Sequence, residues 1–227
     1  MCTVSWLHQP DGYHLLCNRD EKHTRAPASG PRVSVRDGVR YLAPVDADHR
    51  GTWLAVNEYG LSICLLNGGP PHRPASRSRG LLVTELVHAE NLDHAVGLVS
   101  SLDLTPYAPC RMLFLQPVRP AFLASWDGKH LAFLPYGDAH KPLTSSSVDP
   151  EPAHRDRIRE FERRPRTTPA DLWEFHRSHA ACVHRADAGT VSFSWIVVRG
   201  REIRFCYRPL APCQWSPAEQ ITIPRAA

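Results

Sequence analysis

Proline occupies 21 of the 227 positions, and this frequency predicts short helices and strands. Between the prolines, short apolar runs flank turn sequences. The pattern predicts four hairpins, which join residues 4–8 to 13–17, 52–56 to 61–66, 122–126 to 130–134 and 191–198 to 203–207. The turn of the third hairpin, Asp127-Gly128, is of the type that most favours a two-residue connection. Tight hairpins join antiparallel strands, so we expect antiparallel sheet.

Helical periodicity separates these hairpins. Apolar side chains recur at helical spacing in residues 82–89 and 92–99, and two further helices are predicted over residues 151–164 and 169–177. A strand is predicted at 111–116, and loops at 68–80 and around 144–147. Strands in blocks separated by helices are typical of an α+β fold, which we expect to form one domain over residues 1–227.

Composition excludes several classes of protein. With 27 basic and 23 acidic residues the net charge is +4, which permits an anionic ligand. The arginine-rich run at 155–166 lacks interleaved aromatic residues, so no nucleic-acid partner is expected, and its mixed charges predict a solvated helix face. The most apolar long segment, residues 81–104, contains several charged residues and predicts no membrane span. The first residues lack the features of a secretory signal, and we expect a cytoplasmic protein.

The seven cysteines are an odd number without a Cys-x-x-Cys pair, which argues against a disulfide framework and a zinc knuckle. Cys2 has a special position among them. If Met1 is removed, Cys2 carries both a thiol and an α-amine, and an amine with a pKa near 7.7–8.0 can accept the thiol proton. The alternative is an ordinary buried thiol, and Cys2 alone does not decide between the two.

The first predicted hairpin brings further polar residues to Cys2. A turn at Asp11 places residues near 20 beside residues near 2, so Arg19 and Asp20 are candidates to act on Cys2. Asp20 is expected to hold the amine, and Arg19 to lower the thiol pKa through its charge. Adjacent strand residues point to opposite faces, which separates these two side chains. The alternative is a surface turn whose charges contact only water.

Several of these segments together resemble the NRDE family, typified by the transport and Golgi organisation protein 2. The resemblance rests on Met1-Cys2-Thr3, on Cys17-Asn18-Arg19-Asp20-Glu21 with Arg25, on residues 51–56 and on residues 60–67. The family in turn is similar to the N-terminal-nucleophile hydrolases of the penicillin V acylase and bile-salt hydrolase group. The resemblance implies a four-layer αββα sandwich of two antiparallel sheets.

The resemblance also implies roles for individual residues. Cys2 matches the nucleophile, Asp20 the aspartate that binds its amine, and Asn67 an oxyanion-hole donor. Ser145 stands where the acylases have a catalytic-site asparagine, and Arg19 is displaced relative to their arginine. A late arginine of the acylases has no clear counterpart except Arg185. Asn18 and Trp53 are further candidate pocket residues.

One other pattern has metal-ligand residue types, His176-x-x-His179-x-x-Cys182-x-His184. The preferred explanation is a histidine-rich helix end, where histidine suits the negative end of the helix dipole, and we expect no metal and no cofactor.

Two functions follow from the resemblance. The first is a cysteine amidohydrolase that cleaves a linear amide, a C–N bond other than a peptide bond. The second is a non-catalytic binding or trafficking protein for a hydrophobic anionic ligand such as haem or acyl-CoA. The sequence does not indicate an oligomeric state.

Overall fold

The computed structural model describes residues 2–70, 74–146 and 150–226. Two antiparallel sheets form its frame, as the resemblance implies. The first sheet has, in spatial order, β10 (Leu143–Thr144), β1 (Cys2–Gln9), β2 (Gly12–Lys22), β11 (Ala188–Arg199), β12 (Glu202–Arg208) and β13 (Glu219–Pro224). The second has β3 (Ser29–Arg36), β4 (Val39–Val45), β5 (Leu54–Asn57), β6 (Ser62–Asn67), β7 (Cys110–Leu115), β8 (Phe122–Trp126) and β9 (Leu131–Pro135).

Four helices cover the outer faces of these sheets. They are α1 (Gly80–Leu86), α2 (Leu92–Ser101), α3 (Pro150–Glu162) and α4 (Pro169–Arg177). The best-defined start is that of α4, where Thr168 and Asp171 form a capping box and Pro169 occupies the first turn. A short 3-10 turn, Asp138–His140, precedes β10.

Buried apolar side chains form three clusters, and these define the layers. The largest lies between the sheets and includes Val4, Leu113 and Phe205. A second packs α1 and α2 against the second sheet, and a third packs α3 and α4 against the first. The order of layers is therefore helix, sheet, sheet, helix. Because the cluster between the sheets takes residues from both ends of the chain, we propose that the chain forms one domain.

The β1–β2 hairpin has the register expected from its turn. Cys2 pairs with Arg19, and Gln9 pairs with Gly12 at the tight end. A β-carbon at Gly12 would lie 1.9 Å from the carbonyl oxygen of Val198 in β11, so a side chain there would separate the central strands. The close approach of β2 and β11 fixes β2 in the middle of the first sheet.

The four predicted hairpins and four predicted helices are present, with ends shifted by a few residues. Among the described residues, four strands were not predicted: β3, β4, β10 and β13. Their apolar alternation is weak because they lie near sheet edges, where Val33 and Val35 of β3 are 50% and 64% exposed. The turn sequence Asp37-Gly38, with φ of 49° and 82°, is the signal that could have revealed the β3–β4 hairpin.

Two predicted loops extend beyond the described residues. The loop at 68–80 includes residues 71–73, and the loop at 144–147 includes Ser147, and these lie outside the described residues. Within the second loop the structure shows β10, which pairs Leu143 with Val4 and Thr144 with Thr3. This short strand places Ser145 beside Cys2.

All seven cysteines lie in the described part of the chain, and each is a free thiol.

None of the helices in the described segments has the length and apolar character needed to cross a lipid bilayer.

His176 connects α4 to the first sheet and gives the fold a titratable group. It is fully buried, its Nδ1 donates to Asn18 Oδ1 at 3.0 Å, and its Nε2 accepts from the Ser5 hydroxyl at 2.9 Å. The direction follows from Asn18, whose Nδ2 donates to the carbonyl oxygens of His176 and Ala181. Burial, and then the charge of Arg157, lowers the pKa of His176 to about 3.

We predict an acid-sensitive stability from this residue. The unfolded chain binds a proton at His176 near pH 6.5 and the folded chain does so only near pH 3, so stability is lost as pH falls between these values. The free energy of unfolding should fall by up to about 1.4 kcal/mol per pH unit from this group. Denaturant unfolding from pH 7 to 4 checks it, because His176→Gln should have a shallower slope. Equal slopes in the two proteins would contradict the prediction.

Candidate active site

A cavity of about 290 Å³ opens at the edge of the first sheet where β1 begins. It collects most of the residues that the sequence singled out. Its lining includes Cys2, Arg19, Asp20, Trp53, Asn67 and Arg185. Of the other two candidates, Ser145 contacts Cys2 from the adjoining groove, and Asn18, which does not line the cavity, binds the carbonyl oxygens of His176 and Ala181.

The Cys2 thiol is almost fully buried, with 5% of the residue exposed. It belongs to the cluster between the sheets and interacts with the thiol of Cys17, which in turn contacts that of Cys64. The hydrogen bond with Cys17, together with burial, raises the pKa of the Cys2 thiol well above its ordinary value. The thiol is therefore protonated at neutral pH and needs a base before it can attack. The expectation that Arg19 lowers this pKa is wrong.

Arg19 does not act on the thiol because its charge is already compensated. Its Nη2 lies 2.8 Å from Asp46 Oδ2 and 3.5 Å from Glu21 Oε2. The guanidinium stacks on the Trp53 ring, 4.4 Å from the ring centroid. Arg25 binds the same Asp46 carboxylate at 2.7 Å. Arg19 thus faces the second sheet and forms part of a neutralised wall of the cavity.

Ser145 holds the backbone of Cys2 at both polar atoms. Its hydroxyl accepts a hydrogen bond from the Cys2 nitrogen at 3.1 Å, and its own backbone N–H donates to the Cys2 carbonyl oxygen at 3.0 Å. The hydroxyl thus reaches the nitrogen that would become an α-amine if Met1 were removed. Ser145 is therefore placed to position an amine.

Asp20 lies on the other face of β2 from Arg19, as strand alternation requires. It is fully buried, and its Oδ1 accepts from the Thr190 hydroxyl at 2.7 Å. Its Oδ2 accepts from Arg157 Nη2 at 3.1 Å. Burial raises the pKa of the Asp20 carboxyl, whereas Arg157 and Thr190 act in the opposite direction. The β-bulge between Thr190 and Ser192 of β11 lies directly beside Asp20.

Arg157 is the functional residue that sequence reasoning missed. The arginine-rich segment was predicted to be solvated, and Arg155 and Arg159 are exposed, but Arg157 is 2% exposed. Besides Asp20, it donates to the carbonyl oxygens of Ser145 and Ala180, each at 3.1 Å, and to the Thr144 hydroxyl. The available signal was its spacing of four residues from Phe161, which is buried on the same helix face.

Asn18, Asn57 and Asn67 differ in their position relative to the cavity. Asn67 ends β6 and lines the cavity with Cys2. Asn57 is buried away from the cavity, where its Nδ2 binds the carbonyl oxygens of Val87 and Ala89 at 2.8 and 2.7 Å. Asn18 fastens α4 to the sheet. Of the three, Asn67 is the one placed to contact a ligand in the cavity.

A second groove of about 700 Å³ adjoins the cavity and shares Asn67 and Arg79 with it. It is lined by two partly buried guanidinium groups. Arg79 donates to the Pro109 carbonyl oxygen at 2.9 Å and Arg111 to the Thr144 carbonyl oxygen at 2.6 Å. Burial lowers the pKa of both. A carbonyl does not neutralise a cation, so the groove, which also holds Glu151, favours an anionic group beside these arginines.

The residues of the pattern His176-x-x-His179-x-x-Cys182-x-His184 do not all lie together in the structure. His176 is buried in the hydrogen bonds to Ser5 and Asn18, and His179 is exposed. A separate acidic group, Asp46, Asp48 and His49, surrounds the guanidinium of Arg25.

The two sheets between helical layers, with a cysteine at the start of the first strand, define the fold of the N-terminal-nucleophile hydrolases. Penicillin V acylase from Agrobacterium tumefaciens superposes with a TM-score of 0.58 at 9% identity, over 92% of this chain and 83% of the acylase. An N-acylethanolamine-hydrolyzing acid amidase ortholog from Caenorhabditis elegans gives 0.60 at 14% identity, over 86% and 92%. A conjugated bile acid hydrolase from Clostridium perfringens gives 0.59 at 10% identity, over 97% and 92%.

At these identities the likeness shows the fold. Residues 1–112 match the model of the family described as Transport and Golgi organisation 2, so this part of the chain carries the sequence of that family, and the resemblance is confirmed. No curated protein sequence matches the chain.

We predict that Arg157 is essential for stability and that its exposed neighbour is not. Arg157→Ala leaves the Asp20 carboxylate buried without its cation, which should reduce the free energy of unfolding by about 3–5 kcal/mol. Arg159→Ala, on the exposed face of α3, should change it by no more than about 0.5 kcal/mol. Urea unfolding of both variants measures the difference. A similar small loss in the two would show that the buried pair does not hold the site together.

Proposed function

We propose that the protein is an N-terminal-nucleophile cysteine amidohydrolase that cleaves a linear amide other than a peptide bond. The observation that carries the proposal is the position of the Cys2 nitrogen. Ser145 Oγ binds it, and both Cys2 and the buried Asp20 line the cavity. After removal of Met1, nucleophile and base belong to one residue at the wall of a ligand-sized space.

The reaction begins with transfer of the thiol proton of Cys2 to its own α-amine. The sulfur then forms a bond to the carbonyl carbon of the substrate, and Asn67 donates a hydrogen bond to the oxygen that becomes negative. When the C–N bond breaks, the ammonium returns the proton to the leaving nitrogen. Water, deprotonated by the amine, attacks the thioester, releases the carboxylic acid and regenerates the thiol. Asp20 and Ser145 orient the amine throughout.

The burial of the thiol fits this sequence of steps. Because its pKa is raised, the unprocessed protein has an inert thiol, and removal of Met1 supplies the base that it lacks. The proposal therefore makes activity depend on processing.

The substrate is inferred from the adjoining groove. Arg79 and Arg111 border it, and the cavity and groove meet at Asn67 and Arg79. We propose that the substrate is an amide with a carboxylate or phosphate within reach of Arg79.

Replacement of the nucleophile tests the reaction. Cys2→Ala and Cys2→Ser should each reduce kcat/KM for an N-acyl amino acid substrate by at least about 10³-fold, because the step that forms the thioester is lost. Cys206→Ser is the matched control, since Cys206 is a half-buried thiol of β12 outside the cavity. Product release measured on processed protein gives the result. Turnover like that of the wild type in both Cys2 variants would overturn the proposal.

Replacement of Arg79 tests the substrate class. Arg79→Gln should raise KM about 10-fold or more for an N-acyl amino acid with a free carboxylate, since a charge-assisted hydrogen bond is worth roughly 1.5–3 kcal/mol. The KM for the corresponding neutral methyl ester should be unchanged. An equal effect on both substrates would contradict the recognition of an anion.

A second candidate function, in a different class, is favoured by the mutual contacts of the buried thiols of Cys2, Cys17 and Cys64. Burial contributes to raised pKa values for these groups, as expected for core residues. A carrier of a hydrophobic anion such as haem or acyl-CoA would use the cavity without a nucleophile. Saturable binding of haem or acyl-CoA that persists in Cys2→Ala, without turnover in the wild type, would support the carrier and exclude the hydrolase.

We also propose a cytoplasmic location, which the seven free thiols support because reducing compartments keep cysteines unpaired.

A further inference from the structure

Outside the cavity, the structure brings together three side chains that the sequence pattern only partly indicated. The Sγ of Cys182 lies 3.1 Å from the Sγ of Cys213 and 3.5 Å from Nε2 of His184. His184 Nε2 lies 3.0 Å from Cys213 Sγ. Cys182 is buried, whereas His184 and Cys213 are exposed, so solvent reaches the cluster from one side.

We propose that Cys182, His184 and Cys213 form a binding site for a thiophilic divalent cation of the Zn²⁺ type. Two thiolates and one imidazole are the ligands that Zn²⁺ prefers. Binding releases the two thiol protons to solvent and forms two metal–sulfur bonds and one metal–nitrogen bond.

The three donor atoms are close enough together to bind one ion after a small outward adjustment. The three donor atoms form a triangle whose corners lie about 1.9 Å from its centre, given their separations. Since Zn–S and Zn–N bonds measure about 2.3 and 2.0–2.1 Å, an ion bonded to all three lies roughly 1 Å out of their plane, and tetrahedral angles require the donor atoms to move apart by up to about 0.7 Å. The exposed side of the triangle leaves the fourth tetrahedral position to water or to a ligand from solution.

The backbone around each ligand is held in place without the metal. Cys182 N–H donates to the Ser178 carbonyl oxygen at 2.7 Å, and His184 forms a β-bridge with Gly189. Cys213 lies in the loop between β12 and β13, which is anchored on either side of it by the buried residues Ala211 and Ser216. A preformed arrangement of this kind reduces the entropy cost of binding.

Without a cation, the two thiols and the imidazole have no common function, and a bound cation would supply one. A bound cation supplies the positive charge that stabilises the thiolate. A disulfide between Cys182 and Cys213 is the competing use of the two sulfurs, but it gives no role to the imidazole that contacts both.

The proposed metal site is connected to the proposed active site by hydrogen bonds. Ala181, next to Cys182, accepts a hydrogen bond from Asn18, and Val183 donates to the Thr190 hydroxyl that binds Asp20. A metal ion would tie the β12–β13 loop to this segment. The ion would thereby stabilise the support of Asp20 from a position outside the cavity.

Metal titration of the full chain, reduced and freed of metal, tests the proposal. Zn²⁺ should bind with a stoichiometry of one per chain, and Co²⁺ should give the thiolate charge-transfer and visible bands of a tetrahedral complex. Cys213→Ser and His184→Gln should each weaken Zn²⁺ binding at least 10-fold and reduce these bands. Cys213 and His184 are exposed, so these variants should fold, and thermal unfolding verifies this.

Matched controls are Cys206→Ser, a thiol elsewhere in the first sheet, and His179→Gln, an exposed imidazole outside the cluster. Both should bind Zn²⁺ like the wild type. The proposal is wrong if the wild type gives no thiolate–Co²⁺ band, or if Cys213→Ser binds as tightly as the wild type. It is also wrong if the native protein is lighter by two hydrogens and yields a disulfide-linked peptide joining Cys182 to Cys213. Amidase activity is not needed for any of these readouts.

Discussion

The buried ion pair between Asp20 and Arg157 is the interaction on which the rest of the site depends. It joins the central strand of the first sheet to α3, with side-chain exposures of 0% and 3%. Two charges removed from water are stable only when their remaining hydrogen-bonding groups are also satisfied. Arg157 meets this condition by binding Thr144, Ser145 and Ala180. The same contacts fix β10 and the segment after α4.

This pair explains how the cysteine at the start of β1 acquires a defined environment. β10 is only two residues long, and its pairing with β1 needs support from outside the sheet. Arg157 supplies that support and so places Ser145 against the Cys2 nitrogen. Arg19, on the other face of β2, is neutralised by Asp46 and packs on Trp53. The two faces of β2 therefore make separate contacts: Asp20 binds Arg157 and Thr190 on one face, and Arg19 forms part of the cavity wall on the other.

Contacts of the site between residues close in sequence could be predicted, whereas contacts between residues far apart in sequence could not. The register that pairs Cys2 with Arg19 follows from the turn at Asp11, because a hairpin fixes the partners of all its residues. Asn67 was proposed only from the resemblance to the acylase pattern, because periodicity does not distinguish it. Arg157 lies 137 residues from Asp20, and helical periodicity shows which face it occupies without naming its partner. Cys213 joins Cys182 across 31 residues through an irregular loop, which no periodic pattern describes.

The central claim, that Cys2 acts through a free α-amine, is tested most directly at the N-terminus of the protein isolated from its own cells. Intact mass, combined with an aldehyde probe that forms a thiazolidine only with an N-terminal cysteine, reports both processing and the free amine. The account predicts a mass lower by one methionine residue and complete reaction at Cys2. Retention of Met1, with no thiazolidine formed, would leave the thiol without its base and contradict the account.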